Sequence, residues 1–177
     1  FCEFSGIPKS RNRKMPPPTD QWPVSQLLKM HKRHGAKFMM EKVYCNRQRT
    51  STANGITKSE AVFRFAQVLG EFGVEYFQDV KKILGDAEFE AKIMQIPGQR
   101  SGISLRYFYM LAGSENFIKP DRMINRFVEA ATGKTFSMDE TTRLVVEASK
   151  VLSAVRPGLN PRMLDNFIWQ YQRGRKG

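Results

Sequence analysis

Between Ile96 and Arg126 the chain sets residues that can hold a phosphate ahead of one that can steady positive charge. Ile96-Pro97-Gly98-Gln99-Arg100-Ser101-Gly102 is followed by an apolar run to Gly113, then by Lys119-Pro120-Asp121-Arg122 and Arg126. A tight Pro-Gly turn between two helices leaves backbone N–H groups facing outward. Its glycines allow close approach, and the start of the next helix favours an anion. Asp121 lies nineteen residues past Gly102, so one helix and a loop return it towards the turn. A carboxylate there has the chemistry to stabilise a developing cation or to orient an attacking water. Each feature also has a plainer reading: a helix corner with no ligand, and an Asp at a helix start acting as a cap.

The elements that must position these residues all carry a helical period. A first helix fits Val24 to Lys32, with Leu27, Leu28 and His31 on one face and Gly35 as its stop, and a second runs from about Ala36 to Gln48. Thr57 with Glu60 spells a capping box for a third, striped by Ala61, Phe65, Val68, Leu69 and Phe72. Phe77, Val80, Ile83 and Leu84 mark a short helix closed by Gly85, and Phe89, Ile93 and Met94 another. Ile103 to Ala112 reads as a helix apolar on nearly all sides, which predicts burial. Pro120 suits the first turn of a helix running to Gly133; Ser137 with Glu140 caps one to about Ala154, and Asn160-Pro161 opens the last. No segment reads as a strand, so the expected fold class is all-α. The expected layout is a basic, Pro-rich extended arm over 1–22 and a single helical domain over 23–177.

Charge points to the partner. The net charge of +12 is concentrated at the ends: residues 1–50 carry eleven Lys/Arg against three Asp/Glu, and Arg173, Arg175 and Lys176 close the chain. Such clustering gains affinity for a nucleic acid by releasing its counterions, although it also fits a protein that is merely basic. With 41% hydrophobic and 11% aromatic residues the chain has material for a core. Cys2 and Cys45 have no CxxC spacing, which excludes a cysteine-built zinc ribbon or iron–sulfur cluster and suits a reducing cell interior. His31 and His34 lack a third ligand nearby and are read as surface residues. No apolar run is long enough for a membrane span. Phe1 in place of a Met points to a start that was trimmed or lies upstream.

The Ile96-Pro97-Gly98 turn, the apolar helix after it, Asp121 and Arg126 together resemble the helix-hairpin-helix DNA glycosylase superfamily of base-excision enzymes. The motif covers about thirty residues. Weaker similarity extends from roughly Lys37 to Trp169, since Val43-Tyr44-Cys45-Asn46-Arg47-Gln48-Arg49-Thr50 is similar to the helix end that carries a Gln near the DNA. The resemblance implies that Gly98, Gln99, Arg100, Ser101 and Gly102 hold phosphate of double-stranded DNA and that Gln48 fills the gap left by a flipped nucleotide. It also implies that the carbonyls of Met94, Ile96 and Gln99 bind a monovalent cation, K⁺ or Na⁺, with no other cofactor. Asp121, with Lys119, Arg122 and a helix start around it, would stabilise the oxocarbenium-like sugar as the base departs. Tyr44, Tyr107, Tyr109 and Trp169 could stack on an extruded base, though aromatics at helical spacing are more often core.

Two departures qualify this. Arg100 stands where the family's second glycine falls, and Gly102 occupies the slot in which strand-cutting members place a lysine for a Schiff base. There is no Lys between Lys92 and Lys119. The expectation is therefore a monofunctional DNA glycosylase without lyase activity, monomeric, intracellular and free of membranes. The alternative is a non-catalytic helix-hairpin-helix DNA-binding module, which the short span between Gly70 and Ile96 favours.

Overall fold

The computed structural model describes residues 16–112 and 114–174, so most of the expected arm, 1–15, lies outside the described residues. The described residues are helical, with one isolated bridge pair, Arg49 and Thr57, and no strand. Contacts gather into two compact units, 1–102 and 103–177.

In the first unit, α1 (Val24–Phe38) is broken at Gly35, whose φ of 76° and ψ of 159° are not helical. It runs into a π turn, Met39–Val43, which ends at Val43 and not at Gln48 as the apolar pattern suggested. Wide-turn geometry and the left-handed φ of 47° at Cys45 end the helix there. Helix α2 (Lys58–Glu71) is capped by Thr57, which accepts from the Glu60 N–H at 3.2 Å. The Glu60 carboxylate turns to Arg64 at 2.9 Å. The next segment is a 3₁₀ turn, Phe77–Lys82, and α3 (Ala87–Gln95) follows, capped by Asp86 through the Glu88 and Phe89 N–H groups. Helix α1 packs on α2, with Met30, Met39 and Val43 as one core knot covered by Trp22, Leu27 and Tyr44. Phe89, fully buried, meets Phe65 and Phe72 edge-on. Trp22 belongs to that core and Pro18–Asp20 forms a 3₁₀ turn, so the described end of the arm is docked and not extended.

The second unit holds α4 (Ile103–Leu111), α5 (Arg122–Thr132), α6 (Met138–Ser153) and α7 (Pro161–Gly174). Its core is Ile118, Ile124, Val128, Val145 and Ile168, with Phe127 and Leu164 packed against it. The spacing 124–128 puts two of these on one side of α5, one helical turn apart. Both expected N-terminal motifs are present: Ser137 and Glu140 form a reciprocal capping box, and Asn160 Oδ1 accepts from the Met163 N–H. Helix α4 is not apolar-buried all round. Leu105, Tyr109 and Met110 are buried, whereas Tyr107 and Leu111 are exposed. Arg106 ties α4 to α6 through Asp139 at 2.7 Å and Thr142 at 3.0 Å.

Candidate functional site

The residues expected to grip DNA come together within the first unit. After α3 the chain turns over Ile96–Gly102, where the Gln99 N–H donates to Ile96 O at 2.8 Å and the Gly102 N–H to Gln99 O at 2.9 Å. Those two N–H groups are spent on the turn. The N–H groups of Gly98, Arg100 and Ser101 have no partner among the described residues, and all three residues are exposed. Gly98 and Gly102 both take left-handed φ, 83° and 70°. Gly98 has a second constraint, because a Cβ there would sit 2.5 Å from Thr50 Cβ and against Thr50 Oγ1. Thr50 Oγ1 in turn donates to Pro97 O at 2.9 Å.

That clasp lays the loop carrying Gln48 against the turn. The loop is closed by the Thr50 N–H to Ile56 O and the Lys58 N–H to Gln48 O, at 2.9 and 2.8 Å, and Arg49 reaches Gly55 O. Gln48 is exposed, and its amide oxygen accepts from Lys58 Nζ at 2.6 Å. Exposed Arg100 supplies a further cation on the turn. The result is a paired-loop surface with free donors and little carboxylate charge. It is built by hydrogen bonds that sequence spacing did not reveal, since Thr50 and Pro97 are far apart in the chain.

The oxygens proposed for a cation are of the right chemical type. Ile96 O and Gln99 O each accept one bond and keep a second lone pair, and Gln99 Oε1 is buried with no partner among the described residues. Oxygen donors of this kind suit K⁺ or Na⁺. No group of three or more His, Cys, Asp or Glu side chains able to hold a metal occurs among the described residues.

Asp121 belongs to the second unit. It is the N-cap of α5, with Oδ1 accepting from the Met123 N–H at 2.8 Å and the Ile124 N–H at 3.3 Å, and Pro120 stands before the cap instead of in the first turn. Lys119 Nζ lies 3.7 Å from Asp121 Oδ2 and 4.5 Å from the centre of the Tyr107 ring. The capping role is thus realised through Oδ1, while Oδ2 faces the Lys119 ammonium. Arg126 is exposed.

Asp165, on α7, had no signal in the sequence. Only 7% exposed, it accepts the Lys119 N–H at 3.0 Å. Burial pushes its carboxyl up to about 6; Asp121 adds to the rise, and the Lys119 N–H and ammonium oppose it. Unfolded, the same carboxyl titrates at about 3.9, so between these values the folded chain holds the proton more tightly and stability falls as pH rises. Above about 6 that cost is fully present. Asp165→Asn, which keeps an acceptor for the Lys119 N–H, is expected to raise the thermal midpoint at about pH 8 and leave it unchanged near pH 4. Melts at the two pH values check this, and an equal shift at both would contradict it.

The other candidates are mostly structural. His31 is not a surface residue: it is 3% exposed, stacks on Phe63 at 5.1 Å and pairs with Tyr44 Oη at 2.9 Å. Burial lowers its pKa against the pull of Glu60, and burial raises the Tyr44 hydroxyl to about 12. His34 stacks on Phe38. Tyr109 is core, against Phe117, while Trp169 is part-exposed under the Arg173 guanidinium. Cys45 is a free, exposed thiol.

Residues 5–173 match the family described as Domain of unknown function (DUF8548), and the chain belongs to that family. No curated protein and no solved structure matches it. No helix among the described residues is long and apolar enough to cross a membrane.

Proposed function

We propose that this chain binds the phosphate backbone of double-stranded DNA through the Ile96–Gly102 turn and the Gln48 loop clasped to it. The observation that carries the reading is the clasp itself: Thr50 holds Pro97 and leaves the N–H groups of Gly98, Arg100 and Ser101 unspent beside exposed Arg100. Backbone N–H groups and an Arg are the donors that phosphate oxygens take, and glycine lets a strand come close. A helix-hairpin-helix grip of this kind positions a protein on DNA without reading its sequence. A K⁺ or Na⁺ held by the carbonyls of Met94, Ile96 and Gln99 belongs to the same proposal, as does a monomeric chain inside the cell.

The test is a duplex titration followed by fluorescence anisotropy. Arg100→Gln is expected to weaken binding several-fold and to flatten the dependence of log K on log salt by about 0.9, the contribution of one lost phosphate contact. An unchanged affinity and slope would remove the turn from the interface.

A second reading makes the chain a monofunctional DNA glycosylase with Asp121 as the catalytic carboxylate. It is favoured by the convergence of Asp121 and Asp165 on Lys119, one carboxylate facing the Lys119 ammonium and one whose carboxyl is pushed up to about 6. Paired carboxyl groups in contrasting surroundings are the usual makings of acid–base chemistry. The absence of a Lys between Lys92 and Lys119 agrees with hydrolysis in place of Schiff-base cleavage.

A further inference from the structure

Helix α1 carries Lys29, Lys32, Arg33 and Lys37 and no Asp or Glu from end to end. All four side chains are exposed. Elsewhere in the same unit four basic residues are ion-paired: Arg47 with Glu41, Arg64 with Glu60, Lys82 with Asp79, and Lys92 with both Glu71 and Glu88. Among the described residues no carboxylate forms an ion pair with any of the four on α1. Positions 29, 32 and 33 fall on one side of the helix within a single turn, about 6 Å of rise. Like charges so placed repel, and a polyanion relieves the repulsion.

We infer that this face of α1 is a second contact surface for the phosphate backbone of duplex DNA. The inference rests on the DNA-binding reading but uses a different element and a different observation. An amphipathic helix that inserts into a membrane surface or is gripped in an acidic protein's groove does so with its apolar side. That side is already used: Met30 and His31 are buried, and Leu27 packs against the cluster of Met30, Met39 and Val43. A phosphate backbone asks only for cations, whose binding releases counterions.

The experiment compares the wild type with K29Q/K32Q/R33Q and with Arg100→Gln, using a short DNA duplex, the matching RNA duplex and vesicles containing phosphatidylserine. Circular dichroism and thermal melts confirm that each variant folds, which glutamine on an exposed helix face permits. The expected result for the triple variant is a salt slope shallower by about 2.7 and affinity for DNA lower by roughly tenfold or more at low salt. Wild-type affinity and slope in the triple variant, with Arg100→Gln weakened, would overturn the inference and leave the turn in place. No DNA binding by the wild type would sink the underlying reading and the inference with it. A triple-variant defect confined to RNA or to the vesicles would overturn the choice of partner.

Discussion

Replacing Gly98 by alanine is expected to lower the thermal midpoint by roughly 10 °C. Two costs combine. The φ of 83° is left-handed, where an L side chain costs about 1–2 kcal/mol, and the new methyl group meets Thr50 Cβ at 2.5 Å. Overpacking of that kind adds about 1–3 kcal/mol, since the Thr50 backbone carbonyl carbon stands only 3.2 Å away and cannot swing aside. In a chain of this length each kcal/mol is worth about 2–4 °C. Thr50→Gly removes the facing side chain, so the double variant is expected to recover the packing part of the loss but not the backbone part. Additive effects of the two substitutions would show that the clasp is absent.

Asp121 separates stability from chemistry. Asp121→Ala removes the acceptor for the Met123 and Ile124 N–H groups and is expected to cost about 1–2 kcal/mol of stability. Asp121→Asn keeps an Oδ1 and caps nearly as well, so its midpoint should stay close to the wild-type value. If the chain is a glycosylase, the same Asn variant loses the negative charge facing the sugar, and excision should fall by about 100-fold or more. Incubation with duplexes carrying a panel of altered bases, followed by alkali to reveal abasic sites, reads that loss. Excision by Asp121→Asn at the wild-type rate would end the catalytic role. A cap-only Asp121 would show as an Ala variant that melts early and a wild type that releases no base from any duplex.

Local chemistry was the legible part of this fold. Thr57, Ser137 and Asn160 cap where they were expected to, because a cap is decided by a residue and its neighbours three positions on. Gly35 breaks α1 for the same local reason. What the chain hides is decided by distant partners. The second helix stops at Val43 through a π turn that no apolar period encodes, and this places Gln48 in a loop clasped to the Pro-Gly turn. His31 is drawn into the core by Phe63 and Tyr44, and Asp165 is buried by its bond to the Lys119 N–H. The uncompensated charge of α1 depends on where nine carboxylates of the first unit's described residues reach, a question of side-chain geometry alone.

The most direct test is the affinity of the unmodified chain for duplex DNA across a salt series. Four cations on α1 and one on the turn predict a linear fall of log K with log salt, with a slope of about −4.5. Absence of saturable binding at low salt, or a slope near zero, would contradict a backbone-binding role.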